Sequence, residues 1–257
     1  MIFHVSIMLD ELEARLDPAA RARFYPEVRM NDVRHLMNLP NGDVDRMRGL
    51  IEARGLTTFT HGPFLGLDIA SLNDHISAYS AECLLRGLEV TAGLGGPVMV
   101  MHTNYSPFFS RAGLRVWLGN WSERMRPVVE RAVELGVRIA LENAWEERPE
   151  VLAHLVDLVP VGAAAVCLDT GHINAFSRLP VRRWWDVLGE RVVALHLHDN
   201  DGLSDDHLPP GEGIFDFPAL VALLRARPSL PLMTLEVDPA RAERGREYLE
   251  GLFSGGA

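Results

Sequence analysis

The sequence predicts an α/β fold, a single (β/α)8 TIM barrel over residues 1–257 with a metal site at the C-terminal ends of its strands. Its length of 257 residues is close to the size of one such barrel, typically about 250 residues. Short apolar segments alternate with segments of helical periodicity, which indicates a parallel sheet. A His, Asp or Glu also follows most of the apolar segments, and barrel enzymes place their active sites at these strand ends.

Seven segments rich in apolar and β-branched residues are typical of parallel strands buried on both faces. These segments are residues 2–7, 57–60, 98–101, 138–141, 165–168, 192–197 and 232–235. A closed barrel needs an eighth strand, which we expect between Ile7 and Thr57, near Val28 or Val33.

Helices are predicted between these strands, where apolar residues recur at spacings of three and four. The helical segments are residues 71–91, 121–135, 149–159, 181–188, 217–225 and 240–253. Gly136 stands where a helix ends before the next strand, as glycine often does. The aromatic segment 105–121 is expected to be a loop that shapes the pocket.

Charge and basic-residue usage exclude several functions. The net charge of −10 argues against a nucleic-acid-binding surface. All 25 basic residues are arginine. Without lysine the chain can form neither a Schiff base with a carbonyl substrate nor a linkage to pyridoxal phosphate.

The remaining composition predicts a cytoplasmic protein. No apolar segment approaches the roughly 20 residues that a membrane helix requires, so no membrane partner is expected. The first residues lack a basic region and are predicted to be a strand instead of a signal peptide. Cys83 and Cys167 are the only cysteines and fall in a predicted helix and a predicted strand, so we expect no disulfide.

The candidate metal ligands come directly after predicted strands. His61, His102, Glu142, Asp169 and Glu236 each end such a segment. Taken singly, a histidine there could be a hydrogen-bonded loop residue, and Glu142 could pair with an arginine. A buried strand-end carboxylate is unfavourable unless it is paired or bound to a metal, and the recurrence favours the metal.

Four further histidines and one aspartate extend this set. His172 follows Asp169 by three residues. His196 and His198 are two apart and point to the same side of a strand. Asp205 and His207 lie on the following loop, where a solvated turn is the alternative. Mixed imidazole and carboxylate ligands favour Zn or Mn, with Co, Fe and Mg as further candidates and one to three ions in all.

These residues and their order resemble the xylose-isomerase-like TIM-barrel superfamily. The resemblance spans residues 57–238 and includes the segments 169–172, 196–199, 205–207 and 211–213. The superfamily contains sugar phosphate isomerases, ketose 3-epimerases and DNA-repair phosphodiesterases of the endonuclease IV type. Fold and metal site are shared among unrelated reactions there, so the resemblance leaves the reaction open.

Similarity to the ketose epimerases implies one divalent metal held by Glu142, Asp169, His196 and Glu236. Glu142 and Glu236 would act as acid and base on opposite sides of a substrate carbon, and His172 would hold a substrate oxygen. The arginine that usually follows the histidine ligand in these epimerases is absent from residues 199–206, which is a departure from their pattern.

Similarity to the endonuclease IV branch implies three metals instead. The three ligand sets would be His61, His102 and Glu142; Glu142, Asp169, His196 and Glu236; and His172, Asp205 and His207. His198 departs from both patterns and is expected to support a ligand or contact the substrate.

Three functions follow in order of preference. The first is a metal-dependent sugar or sugar-phosphate isomerase or epimerase that moves a proton next to a metal-polarised carbonyl. The second is a multinuclear phosphoester hydrolase, although the acidic strand-end loops argue against DNA as its substrate. The third is a non-catalytic binding barrel. The expected partner is a small carbohydrate-like molecule, and a homo-oligomer remains open.

Overall fold

The computed structural model describes residues 1–255 and contains the predicted closed barrel of eight parallel strands in sequential order. The strands are β1 (His4–Met8), β2 (Tyr25–Arg29), β3 (Phe59–His61), β4 (Val98–His102), β5 (Arg138–Glu142), β6 (Ala164–Asp169), β7 (Val192–Leu197) and β8 (Leu232–Leu235). The eighth strand is therefore β2, which contains Val28, whereas Val33 begins a helix.

Helices occupy the connections between the strands. They are α1 (Leu12–Arg21), α2 (Val33–Asn38), α3 (Asn41–Glu52), α4 (Asp74–Gly93), α5 (Arg111–Leu135), α6 (Pro149–Asp157), α7 (Thr170–Phe176), α8 (Val181–Leu188), α9 (Phe217–Arg225) and α10 (Ala242–Ser254). None of the helices in residues 1–255 is long and apolar enough to span a membrane.

The aromatic segment 105–121 was expected to be a loop, and for much of its length this is wrong. Helix α5 begins at Arg111, ten residues earlier than predicted, with the Ser110 side chain accepting a hydrogen bond from the Gly113 amide at its N-terminus. Gly113 and Gly119 weaken the helical pattern because glycine has a low helix propensity. Gly136 ends the helix in the left-handed conformation, with φ of 68°.

Alternate residues of each strand face the barrel interior. An apolar cluster fills its lower part and contains Phe59, Val98, Val100, Ala140, Cys167 and Ala194. The larger core lies between the strands and the surrounding helices. Continuing the same alternation toward the C-terminal ends places Glu142, Asp169 and His196 in the next interior positions, so polar residues line the top of the barrel.

Neighbouring strands differ in the length of their pairing. Five residue pairs join β1 to β2, and five join β4 to β5. Only two pairs join β3 to β4 and two join β1 to β8. The barrel is therefore divided by two short ladders into a β1–β3 segment and a β4–β8 segment.

Candidate metal centre and active site

Four of the predicted ligands are the last residues of strands rather than the first residues of loops. His61, His102, Glu142 and Asp169 end β3, β4, β5 and β6, respectively. The ladder still includes them, because His102 pairs with Glu142 across β4 and β5. Asp169 pairs in the same way with His196 of β7. Backbone pairing therefore fixes where these side chains enter the site.

Glu142 is the centre of the cluster. Its Oε2 lies 3.1 Å from His61 Nε2 and 3.3 Å from His102 Nε2. Its Oε1 lies 3.3 Å from both His172 Nδ1 and His196 Nδ1. The Glu142 side chain is only 1% exposed, so four imidazoles converge on one buried carboxylate.

His196 brings the last strand into the same centre. Its Nδ1 lies 3.2 Å from Glu236 Oε2 and 3.7 Å from Asp169 Oδ2. This nitrogen is buried and makes no hydrogen bond. A ring nitrogen that faces three carboxylates without a hydrogen bond fits a position where a cation is bound.

Asp169 and His172 are held by a short helix that the sequence reading missed. Asp169 caps α7, and its Oδ1 accepts a hydrogen bond of 2.7 Å from the His172 amide. The imidazole of His172 lies 2.8 Å from the carbonyl oxygen of Asn143 through Nδ1, and its Nε2 lies 3.3 Å from Asp205 Oδ2. The spacing of three residues thus reflects one helical turn.

The loop after β7 supplies Asp205 and His207. His207 adopts a left-handed backbone conformation, with φ of 50°. Its Nδ1 lies 2.6 Å from the Glu236 carbonyl oxygen, and its Nε2 lies 3.1 Å from Asp205 Oδ2. Asp205 and His207 are therefore part of the cluster and do not form a solvated turn.

His198 is fully buried and packs inside the cluster. Its Nε2 lies 3.0 Å from Asp169 Oδ2, and its ring stacks on His207 with centroids 4.0 Å apart. It does not line the cavity, so the substrate contact expected for it is not visible in this arrangement. A Cβ atom at Gly171 would lie 2.0 Å from the His198 ring, which explains why this position is glycine.

Ligand atoms that lie within 4.8 Å of one another form overlapping groups able to hold a metal ion. Two groups coincide with sets that the resemblance implies: His61, His102 and Glu142, and Glu142, Asp169, His196 and Glu236. The third implied set differs, because Asp205 and His207 group with His198 instead of His172. A further group adds Cys167 to Glu142 and His196.

The charges in this cluster stabilise the ionised carboxylates. Burial raises the pKa of Glu142 and of Glu236, but the surrounding charges and hydrogen bonds, with the charge of His196 first among them, together outweigh burial and hold both pKa values well below the usual range. Burial lowers the pKa of His102, which favours its neutral form. Burial also lowers the pKa of His207, but the hydrogen bond with Asp205 and the charge of Glu236 raise it to about 9. Ionised carboxylates are the form that ligates a divalent cation.

A cavity of about 460 Å³ opens above the cluster. Its lining combines ligand-type residues with apolar ones: Arg29, Phe64, Leu65, Gly66, His102, Asn104, Glu142, Ala144, Trp145, His172, Phe176, Asp205, His207 and Glu236. We expected the segment 105–121 to shape this cavity, and this is wrong. The aromatic wall comes instead from Phe64, Trp145 and Phe176.

The sequence analysis did not predict Arg29 and Glu27 as residues of the site. Arg29 is the arginine that lines the cavity, and its Nη1 lies 2.9 Å from Glu236 Oε1. Glu27 Oε1 lies 3.0 Å from His196 Nε2. Both belong to β2, where Pro26 and two charged residues conceal the strand pattern. Their alternation, two residues apart, is the signal that could have placed both in the barrel interior.

Comparison with known proteins assigns the family. A family profile described as "Xylose isomerase-like TIM barrel" matches residues 24–252. The chain belongs to this family.

One relative, the uncharacterized protein MJ1311 of Methanocaldococcus jannaschii, is 30% identical over 164 residues, covering 61% of this chain and 56% of the relative. A fructoselysine 3-epimerase of Escherichia coli O157:H7 is 23% identical over 149 residues, covering 55% of this chain and 52% of the relative. The chain thus spans about half the length of these two relatives.

Several solved structures have the same fold over the whole chain. The TTHB071 protein of Thermus thermophilus, from a crystal soaked with ZnCl2, has a TM-score of 0.84 and 26% identity, with 100% of both chains covered. A D-tagatose 3-epimerase-like protein has a TM-score of 0.86 and 23% identity, covering 100% of this chain and 98% of the other. An L-ribulose 3-epimerase has a TM-score of 0.80 and 18% identity, covering 99% and 96%.

Proposed function

We propose that this protein is a metal-dependent isomerase or epimerase of a small sugar or sugar phosphate. The observation that carries the proposal is the placement of two buried carboxylates, Glu142 and Glu236, at 3.3 and 3.2 Å from the same nitrogen, His196 Nδ1. Both also line the cavity. Both carboxylates face one cavity beside the same cation position. In this arrangement one of them can remove a proton from a substrate carbon, and the other can return a proton to it. The names of the epimerase relatives support the same class.

The ligands of the proposed metal are Glu142, Asp169, His196 and Glu236, with His61, His102, His172, Asp205 and His207 available to further ions. Zn or Mn suits these donors best, and Co, Fe and Mg remain candidates. When bound, a divalent cation of this kind polarises a carbonyl and lowers the barrier to proton loss at the adjacent carbon. Up to three ions are compatible with the groups of ligand atoms.

The chain's own residues would orient the substrate and transfer the proton. Arg29 holds Glu236 Oε1, which leaves Oε2 directed toward His196. Glu142 and Glu236 are the proposed acid and base, and His172, which lines the cavity, is the proposed contact to a substrate oxygen. Trp145 and Phe176, 4.4 Å apart between ring centroids, offer an apolar wall to the substrate's carbon skeleton.

Metal content tests the first half of the proposal. Elemental analysis of the purified protein should find at least one equivalent of a divalent transition metal per chain. Glu142→Ala and His196→Ala should each lower this content, because both side chains belong to the central group of ligands. Protein that stays metal-free after incubation with Zn²⁺ and Mn²⁺ would contradict the proposal.

Solvent deuterium exchange tests the proton transfer. Wild-type protein should incorporate deuterium into a carbon-bound position of at least one compound in a panel of ketoses, ketose phosphates and related hydroxy-carbonyl compounds. Glu236→Gln keeps the size and one oxygen ligand but cannot act as a base, so it should lose exchange while retaining at least part of the metal. Turnover without any exchange would exclude proton transfer. Undiminished exchange by Glu236→Gln would assign the base to Glu142 or another residue.

A phosphoester hydrolase is the second candidate, and the surplus of ligand groups beyond one metal favours it. We propose that duplex DNA is not its substrate, because the net charge is −10 and phosphate contacts need basic residues. Hydrolysis of bis(p-nitrophenyl) phosphate by the Zn²⁺-loaded protein, without deuterium exchange, would promote this candidate. Incision of an abasic duplex with strongly salt-dependent binding would overturn the prediction about DNA.

Further proposals concern the cellular location, the domain organisation and the partners of the protein. Cys83 and Cys167 are buried and free, which supports the proposal of a cytoplasmic location. We also propose that residues 1–257 form a single domain and that neither a membrane nor a nucleic acid is a partner. A homo-oligomer is compatible with these features.

A further inference from the structure

Glu27 is a buried carboxylate that the proposed chemistry does not use. It lies on β2, two residues before Arg29, and is 1% exposed. It does not line the cavity and belongs to none of the groups of candidate metal ligands in the described residues. Its Oε1 lies 3.0 Å from Nε2 of His196, which is itself fully buried.

The contact with Glu27 determines which nitrogen of His196 faces the metal position. With Nε2 directed at Glu27, Nδ1 is directed at Glu142 Oε1 and Glu236 Oε2. A carboxylate can only accept a hydrogen bond, so the proton of a neutral ring is placed on Nε2 and the lone pair is left on Nδ1. Hydrogen bonding at one nitrogen thus selects the other as the ligand atom.

Stability of the fold does not account for Glu27. Its Oε2 is buried and has no hydrogen-bond partner among the described residues. Burying a carboxylate oxygen without a partner destabilises a folded protein. Ser6, which pairs with Glu27 across β1 and β2, and Thr234, which pairs with His196 across β7 and β8, also carry buried hydroxyl oxygens without partners. An apolar residue at position 27 would avoid this unfavourable burial, so the carboxylate has a different role.

We propose that Glu27 is a positioning residue that orients His196 for metal binding through Nδ1. The inference rests on the proposed function in so far as a divalent cation is bound beside Glu142 and Glu236. Carboxylate partners of metal-bound histidines typically change metal affinity by about 10- to 100-fold. Glu27 therefore affects the metal affinity through Nε2 of His196, the ring nitrogen that faces away from the metal position, and contacts neither metal nor substrate.

Metal affinity of two variants tests the proposal. Glu27→Met removes the acceptor and keeps an unbranched side chain, and it should weaken Zn²⁺ and Co²⁺ binding by about 10- to 100-fold. Glu27→Gln retains a carbonyl oxygen that accepts the Nε2 proton, so it should recover part of the loss. The Co²⁺ d–d spectrum should change in Glu27→Met, because the ring is no longer held in place.

Thr234→Val is the matched control. Thr234 is buried beside His196 in the ladder of β7 and β8, and its hydroxyl makes no hydrogen bond within the described chain. Its substitution disturbs the same layer of the barrel and should leave the metal dissociation constant within about a factor of 2. Circular dichroism of each metal-free variant verifies folding before titration.

The possible outcomes separate this inference from the proposed function. Wild-type protein that binds no divalent metal would contradict the proposed function itself. If the wild type binds metal and Glu27→Met binds it equally well with an unchanged Co²⁺ spectrum, only the role of Glu27 is wrong. A loss in Thr234→Val as large as that in Glu27→Met would also overturn it, because general packing would then explain both.

Discussion

At the scale of single residues, the packing of the histidine and carboxylate cluster depends on a glycine with no chemistry of its own. Gly171 lies in the first turn of α7, and the ring of His198 occupies the space where a Cβ would be. The ring has little freedom to retreat, because it stacks on His207 on another side. The absence of a side chain at position 171 thus fixes the depth at which His198 packs.

Gly171→Ala should therefore destabilise the protein, by about 3 kcal/mol, as overpacking of a rigid core position does. Gly119→Ala is the control, since no atom lies within 4 Å of a Cβ at that position in α5. Alanine there should stabilise the helix by about 0.5–1 kcal/mol. Urea unfolding of the metal-free proteins measures both effects. Equal stability of the two variants would contradict the packing argument.

The residues that converge in the cluster could be predicted from the sequence, but their supporting partners could not. His61 and Glu142 follow apolar runs, and a strand end in a barrel is a recognisable position. Glu27 meets His196 across 169 positions of the chain, and no local pattern reports such a contact. Arg29 was missed for the same reason, since only the closed barrel brings it to Glu236.

At the scale of elements, the loop from β7 to α9 is organised by a single carboxylate. Asp199 is fully buried. Its Oδ1 accepts hydrogen bonds from the amides of Asn200 and Phe215, and its Oδ2 accepts from those of Gly211 and Gly213, at 2.9–3.0 Å. This arrangement folds the loop back on itself and brings Asp205 and His207 to the cluster.

Asp199→Asn should release this loop, because an amide nitrogen would face two backbone N–H groups that need an acceptor. We expect a loss of about 3 kcal/mol in the free energy of unfolding. Hydrogen exchange should accelerate in residues 205–213 and stay unchanged in β5. Asp206→Asn, an exposed position on the same loop, should change stability by less than about 0.5 kcal/mol. Unchanged exchange in Asp199→Asn would refute this role.

Strands were easier to predict than helices, for a physical reason. β7 and β8 have the predicted bounds because all but one residue of each strand is apolar. β2 was only loosely located, since Glu27 and Arg29 replace the apolar residues that normally face a barrel interior. The first ten residues of α5 were not predicted as helix, because Gly113 and Gly119 interrupt the helical pattern of apolar residues. In the structure, the packing of the buried Trp117 and Trp121 supports the helix there.

At the scale of the whole molecule, β1 contributes a buried titratable group that is not among the candidate metal ligands. His4 of β1 packs edge-on against Tyr25 and Phe59, and its Nδ1 lies 3.3 Å from the carbonyl oxygen of Met233. Burial lowers its pKa to about 4, although the charge of Glu27 and the contact with Met233 act in the opposite direction. The neutral imidazole thus joins four strands.

Stability should consequently fall with acidity between about pH 6.5 and pH 4, because only the unfolded chain binds this proton in that range. The contribution is complete above about pH 6.5 and declines by up to about 1.4 kcal/mol per pH unit on acidification. His4→Phe should show a correspondingly shallower decline, while the titration of the histidine and carboxylate cluster is common to both proteins. Parallel stability curves from urea unfolding at several pH values would contradict this assignment.

Three polar contacts join the β1–β3 segment to the β4–β8 segment: His61 to Glu142, Glu27 to His196, and Arg29 to Glu236. They span the two regions that the shortest strand ladders leave weakly connected. In many enzymes, residues selected for activity reduce stability, so replacing them makes the protein more robust. Here two of the three contacts, His61 to Glu142 and Arg29 to Glu236, involve proposed metal ligands, so the same side chains also join the two segments. A substitution at one of these positions that adapts the site to a new substrate would then also remove a contact between the two segments of the barrel. Such a substitution is acceptable only if the protein keeps enough stability to fold.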